Sequence, residues 1–127
     1  MTPPRLPDLV NLDWQMRFTG MLKDLPVRLT CRPHPVGIFQ GRPNPLAAVT
    51  PLSDTVFEDL IADTDVFVFD YIQSTTFYEA LCTDRPIVLI DFGLPVYASD
   101  ARAMLEARCR IVNARFDEFN RPHVDRD

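Results

Sequence analysis

Two short runs of consecutive apolar residues constrain the fold of this chain more than any other feature. The first run is VFVFD at 66–70, and the second is IVLID at 87–91. Neither run alternates between apolar and polar residues, which is typical of strands buried on both faces of a parallel sheet. The two runs therefore predict a parallel sheet whose faces are both covered.

Helical patterns alternate with the extended runs along the chain, because apolar residues recur there at helical spacing. The expected helices lie at about 14–25, 56–61, 76–82 and 99–108, and the expected strands lie at 27–31, 66–70, 87–91 and 109–112. Thr55 and Glu58 have capping-box spacing before the second helix, and Ser99 and Asp100 can cap the fourth. The polar residues after Phe119 predict a frayed tail.

Four alternations of helix and strand predict the α/β class, with right-handed crossovers that place helices on both faces of the sheet. We expect a Rossmann-like three-layer domain with a parallel sheet of about four strands. Such a domain usually opens with a strand, whereas this chain opens with prolines at 3, 4 and 7 and then a helix. The first strand of the fold is therefore expected to be missing.

Length and charge narrow the function classes. A chain of 127 residues predicts one domain over 1–127. The formal net charge of −5 disfavours nucleic-acid binding. No apolar run approaches the ~20 residues of a membrane helix, and the N-terminus lacks the apolar stretch of a signal peptide. We therefore expect a cytoplasmic protein with no transmembrane segment.

The three cysteines, Cys31, Cys82 and Cys109, are odd in number and far apart. Neither a disulfide framework nor a zinc cluster fits that spacing. Each lies in an apolar segment, so buried thiols are expected.

Ligands of open parallel sheets bind beyond the carboxyl ends of the strands, so the residues after each strand are the candidates for function. The chain has neither a G-x-G-x-x-G nor a P-loop motif, and no cofactor is expected. After the first expected strand, R-P-H-P at 32–35 places His34 between two prolines that restrict the local backbone. Its imidazole could donate to a phosphate or a sugar hydroxyl, or act as an acid or base near neutral pH. The alternative is a histidine that is hydrogen-bonded within its own loop.

The second candidate is DYIQSTTFYEAL at 70–81, where hydroxyl side chains precede a helix directly after a buried strand. Free N–H groups and the positive end of a helix dipole favour phosphate there, and Ser74, Thr75 and Thr76 can add hydroxyl donors. The alternative is a capping box in which Thr76 caps the helix and Glu79 reaches back to the backbone. Asp70 could hold the loop or bind a ligand hydroxyl. DFGLP at 91–95 is interpreted as a plain turn.

Taken together, R-P-H-P at 32–35 and ADTDVFVFDYIQSTTFYEALCTDRPIVLID at 62–91 resemble the C-terminal domain of GT-B glycosyltransferases. The likeness is to the bacterial surface-carbohydrate and CDP-glycerol glycerophosphotransferase branch, whose members carry an H-P pair and a D-x-S-[ST]-x-x-x-E-A-L-x-x-x-x-P-type block. The resemblance covers roughly residues 13–112.

The resemblance implies the donor-binding half of a transferase that uses a nucleotide-sugar or nucleotide-polyol in surface polysaccharide biosynthesis. It assigns a catalytic position to His34, and Glu79 takes the position that contacts the ribose hydroxyls in many such enzymes. It assigns binding of the nucleotide-diphosphate-linked donor to Arg32, Asp70, Ser74, Thr75, Thr76 and Glu79. No metal is implied, because no D-x-D motif lies at a strand end.

The chain also departs from that family. A GT-B enzyme has two Rossmann-like domains, so a missing N-terminal domain or partner chain is expected to complete the active site, and the chain alone is expected to be inactive. The residues at 71–73 alter the link before Ser74.

Two alternatives remain open. One is a noncatalytic α/β module that binds a partner protein through the loop with Phe39, Pro43 and Pro45, or through an unpaired sheet edge. The other is a fragment of a nucleotide-sugar epimerase relative. Exposed surfaces of this kind would also allow a homo-oligomer.

Overall fold

The computed structural model describes residues 6–33, 42–72, 74–94 and 97–125. The α-helices are α1 (Asp8–Lys23), α2 (Phe57–Leu60), α3 (Thr75–Leu81) and α4 (Ser99–Arg108), and the strands are β1 (Phe67–Phe69), β2 (Ile87–Asp91), β3 (Arg110–Asn113), β4 (Arg115–Phe116) and β5 (Pro122–His123). Turns of 3-10 helix lie at Pro45–Ala48 and Ile61–Asp63. The described residues group into two compact units, Leu6–Val56 and Phe57–Asp125. The prediction of a single domain from length stays a prediction.

The unit Phe57–Asp125 contains a parallel sheet of three strands in the order β1-β2-β3. Leu89 of β2 lies in register between Phe69 of β1 and Ile111 of β3. Helix α3 connects β1 to β2, and α4 connects β2 to β3. The α/β class and the parallel sheet predicted from the sequence are therefore confirmed, with three strands in this sheet where about four were expected.

The core of this unit covers one face of the sheet. Alternate strand residues, including Phe67, Ile87 and Leu89, pack with Phe77 of α3, and Leu105 of α4 packs against the same cluster. Both crossover helices thus lie on one face of the sheet. The strands β1, β2 and β3 follow one another across the sheet in sequence order, and crossovers of the same handedness then place their helices on the same face. The sequence predicted helices on both faces of the sheet, but these two crossovers place their helices on one face only.

The two non-alternating runs differ in burial. In β2, Ile87, Leu89 and Ile90 are all buried, as predicted for a central strand. In β1, Phe67 is buried but Val68 is 40% exposed. The prediction of burial on both faces is therefore wrong for β1, because β1 lies at an edge of this sheet.

The segment expected to fray forms an antiparallel hairpin of β4 and β5. Pro122 in β5 is fully buried. Asp117 organises the connecting loop: its Oδ1 accepts the N–H groups of Phe119 and Arg121, each at 2.9 Å. Its Oδ2 accepts from Arg121 Nε at 2.9 Å and from His123 Nε2 at 2.8 Å. A carboxylate with four donors orders this loop, so the frayed-tail prediction is wrong.

The unit Leu6–Val56 is built on α1, where Trp14 is buried and stacks on Phe18 with ring centroids 4.6 Å apart. Lys23 Nζ donates to the carbonyl oxygen of Val49 at 2.8 Å, which ties the end of α1 to the chain after the 3-10 turn. Residues 27–30 form no strand, and Cys31 makes only an isolated parallel bridge to Leu52. The predicted strand at 27–31 is therefore wrong, because a β-branched run becomes a strand only where a neighbour pairs along it.

Other local predictions also need correction. Cys82 is exposed and Cys31 is half-buried, so only Cys109 is the buried thiol that was expected. The N-cap of α4 is Ala98, with Ser99 and Asp100 inside the helix. Within the described residues, no helix combines the length and apolar character needed to cross a membrane.

Candidate functional site

The candidate site begins where β1 ends and α3 starts. Ser74 has extended backbone angles, φ −139° and ψ 149°, and its Oγ accepts the N–H of Phe77 at 3.2 Å. Ser74 is thus the N-cap, and the helix begins at Thr75. The interpretation of Thr76 as the cap is wrong, because Thr76 already lies in the first turn. With Phe77 three residues after the cap, this start lacks the Glu or Gln of a capping box.

Two hydroxyl groups and an aromatic ring line an open depression at this helix start. The depression has a volume of about 420 Å³ and is lined by Ile72, Ser74, Thr75 and Tyr78. Thr75 and Tyr78 are three residues apart on α3 and therefore share a side of the helix. The side chain of Tyr78 is 59% exposed, so its ring face is open to a planar ligand. Ile72 and Tyr78 were not among the predicted site residues.

Glu79 follows Thr75 by one helical turn, which places the two residues on the same side of α3. Its Oε2 is buried and has no hydrogen-bond partner among the described residues. A buried carboxylate oxygen without a donor is costly, since burial removes the water that would otherwise solvate it. Glu79 is not among the residues that line the depression, and a ligand hydroxyl would reach this oxygen only after the side chain moved.

The remaining predicted residues lie in different places. Asp70 is half-buried directly after β1, and Thr76 is half-buried in the first turn of α3. Arg32 belongs to the unit Leu6–Val56, where its Nε donates to the carbonyl oxygen of Thr55 at 2.9 Å. His34, the predicted catalytic residue, lies outside the described residues. The structure therefore brings Ser74 and Thr75 together, with Glu79 one turn away.

The sequence segment that contains the depression is rich in acidic residues. From residue 43 to residue 84 the sequence contains no lysine, arginine or histidine. The same segment contains eight acidic residues, which are Asp54, Glu58, Asp59, Asp63, Asp65, Asp70, Glu79 and Asp84. An anionic ligand at the start of α3 would meet helix N–H groups and hydroxyls but no cationic side chain from this segment.

A half-buried ion pair that no sequence pattern predicts lies at the end of β2. Asp91 Oδ2 accepts from Arg102 Nη1 of α4 at 2.6 Å, and Asp91 Oδ1 accepts the N–H of Gly93 at 2.8 Å. Arg102 Nε also donates to Glu106 Oε1 at 2.9 Å. Burial, and then the negative charge of Asp91, raise the pKa of Tyr97 above its ordinary value.

Residues 91–94 are the described part of the turn predicted at 91–95, and Pro95 lies outside the described residues. Gly93 adopts φ +74°, which favours glycine, and both carboxylate oxygens of Asp91 have donors. Asp91 thereby links the end of β2 to Gly93 and to α4. Asp91 and Arg102 are eleven positions apart in the sequence, and no local sequence pattern predicts a contact over that separation.

Comparison with protein-family models, with curated proteins and with solved structures found no match to this chain. The resemblance to a donor-binding domain therefore depends on the quoted motifs alone.

Proposed function

We propose that this chain binds the nucleotide-diphosphate part of an activated donor in the depression before α3. It would act as the donor-binding half of a transferase that uses a nucleotide-sugar or nucleotide-polyol, within a Rossmann-like fold. The observation that carries this proposal is the depression itself, in which the hydroxyls of Ser74 and Thr75 and the ring of Tyr78 meet directly beyond a parallel strand. Ligands of α/β sheets bind at that end of the strands.

Each lining group suits a part of such a ligand. The hydroxyls of Ser74 and Thr75 can donate to phosphate oxygens while the Ser74 oxygen also caps α3. The open face of Tyr78 offers a stacking surface for a nucleobase. Glu79 does not line the depression, so its contact with the ribose hydroxyls depends on the resemblance alone. In the transfer step these donors would stabilise the charge that grows on the departing nucleotide diphosphate.

The negative charge of this segment sets a condition on that chemistry. A diphosphate carries at least two negative charges, and no basic side chain lies between residues 43 and 84. Positive charge must therefore come from outside this segment, either from another part of this chain or from the second domain or partner chain that the resemblance implies. Arg32 and His34 stay predicted contributors, and the chain alone is proposed to bind but not to catalyse.

Thermal unfolding in the presence of CDP, UDP, GDP or ADP tests this proposal. One nucleotide at about 100 times its Kd should stabilise the chain by about 2.7 kcal/mol. Thr75→Val removes a lining hydroxyl and keeps the shape of the side chain and the Ser74 cap, so it should abolish the stabilisation. Thr30→Val, at an exposed threonine in the other unit, is the matched control and should leave it unchanged.

Two results would refute nucleotide binding by this chain. The first is the absence of any shift with all four nucleotides, for protein that circular dichroism shows to be folded. The second is an equal shift in wild type and Thr75→Val, which would place the ligand elsewhere.

A further inference from the structure

The outer edge of β1 carries backbone groups that no described residue pairs. Phe67 N donates to the carbonyl oxygen of Pro86 at 3.0 Å, so Phe67 and Phe69 direct their peptide groups toward β2. In a parallel ladder the intervening residue, Val68, then directs its N–H and C=O away from β2. The side chains of Val66 and Val68 are 49% and 40% exposed. Natural proteins blunt such edges with lysine, proline, a bulge or a very short strand; β1 has three residues, contains no lysine or proline, and pairs with β2 in regular register.

Exposed carboxylates lie beside this edge. Helix α2 packs against β1, because the rings of Phe57 and Phe67 have centroids 5.2 Å apart. On α2 and the turn that leads into β1, four acidic residues are exposed and have no ion-pair partner among the described residues; these are Glu58, Asp59, Asp63 and Asp65. The N-terminal approach to the free edge is therefore strongly negative.

We propose that the outer edge of β1 binds an extended, lysine- or arginine-bearing segment of a partner protein. The peptide groups of Val68 would pair with the backbone of that segment, as in strand addition to other sheet edges. The four carboxylates would select basic side chains and speed association. A second copy of this chain fits less well, because two copies that each carry a net charge of −5 repel one another.

A pair of synthetic peptides tests this inference. Both peptides would be about eight residues long, a common strand length, and would alternate valine with lysine in one and valine with glutamate in the other. Fluorescence anisotropy with the full chain should show the lysine peptide binding at least about tenfold more tightly than the glutamate peptide. The preference should fall as salt rises from about 50 mM to 500 mM, because these charges are exposed. Amide hydrogen exchange at Val68 should slow when the lysine peptide is added.

Variants separate the backbone contribution from the charge contribution. Val68→Pro removes the outward N–H, at a position where an edge strand tolerates proline, and should abolish binding of the lysine peptide. Val68→Lys covers the case in which the proline variant fails to fold, and it should weaken binding by charge repulsion. The double variant Asp63→Asn, Asp65→Asn should bind the lysine peptide several-fold more weakly. The control double variant Asp84→Asn, Glu118→Gln changes exposed acidic residues elsewhere and should leave this affinity unchanged.

Three results would overturn the inference. Equal affinity for the two peptides would remove the charge selection. No binding of the lysine peptide at low salt would mean that the carboxylates only protect the edge from pairing. A dimer of the chain alone in sedimentation, lost in Val68→Lys, would make a second copy the occupant.

Discussion

Arg108, the last residue of α4, holds the end of α3 in place. Its Nη2 lies 2.7 Å from the carbonyl oxygen of Thr83, 3.0 Å from that of Arg85 and 3.2 Å from that of Ala80. Its Nε lies 3.4 Å from the carbonyl oxygen of Leu81. The last carbonyls of a helix have no partner within the helix, and a cation placed there satisfies them and complements the helix dipole. We therefore expect Arg108 to contribute strongly to the stability of the unit Phe57–Asp125.

The size of this contribution follows from the geometry. Nη2 carries two hydrogens for three acceptors, so two full hydrogen bonds are counted, and the 3.4 Å contact of Nε adds little. A hydrogen bond to a charged group contributes about 1.5 to 3 kcal/mol. Because the group is only half-buried, water can reach some of the carbonyls once the side chain is gone. The lower end of the range applies, which for two hydrogen bonds gives about 3 kcal/mol and a fall in Tm of roughly 10 °C.

Urea unfolding of Arg108→Met measures this loss, because methionine keeps the apolar stem and removes the guanidinium. Arg110→Met makes the same chemical change at an exposed position of β3 and should stay within about 0.5 kcal/mol of wild type. Arg108→Lys should fall between wild type and Arg108→Met, since one ammonium cannot reach the same set of carbonyls. A loss below about 0.5 kcal/mol in Arg108→Met would refute the role given to this residue.

Two further predictions concern the hairpin and the thiols. The hydrogen bond from His123, followed by those from Arg121 and Phe119, holds the pKa of Asp117 well below its usual range. The ionised carboxylate of Asp117 should stabilise the folded protein fully above about pH 4, the pKa of an aspartate in the unfolded chain. This stabilisation should be lost as the pH falls toward the lower pKa of Asp117 in the folded protein. Urea unfolding at pH 5 and at pH 3 should therefore show a smaller acid loss in Asp117→Asn than in wild type, and equal losses would contradict this. Cys82 is exposed, whereas Cys109 is buried and its burial raises its thiol pKa. A thiol reagent should therefore label Cys82 in the native protein and should label Cys109 only on unfolding. Rapid labelling of Cys109 in the native Cys82→Ser variant would contradict this prediction.

The parts of the fold that the sequence predicts are those set by local pattern. The five-residue run 87–91 is a strand over the same residues, because it is the central strand and both of its faces are buried. The run 27–31 is not a strand, although it contains the strand-forming residues Val27 and Thr30. The difference lies in the neighbours, since pairing along a strand depends on distant parts of the chain.

The candidate site shows the same division. Three hydroxyl residues before an apolar helix predict where α3 starts, and that position is correct to one residue. Which hydroxyl caps the helix depends on backbone angles that the S-T-T pattern leaves open, and the structure selects Ser74. Tyr78 could have been found from its spacing of three residues from Thr75, which places both on one side of a helix. Arg102 contacts Asp91 eleven positions away and Arg108 contacts Thr83 25 positions away, separations that local patterns do not reveal.

Charge links the proposed donor site to the proposed edge interaction. The eight acidic residues between 43 and 84 oppose a diphosphate and attract a basic strand, and both effects act on the short stretch from β1 to α3. A basic segment added along β1 would place positive charge beside the depression, because β1 ends at Phe69 and the depression starts at Ile72. Each ligand would then lower the electrostatic cost of binding the other, and such coupling is reciprocal. Failure of the nucleotide titration alone would leave the edge interaction intact, whereas tighter nucleotide binding in the presence of the lysine peptide would join the two into one site completed by a partner.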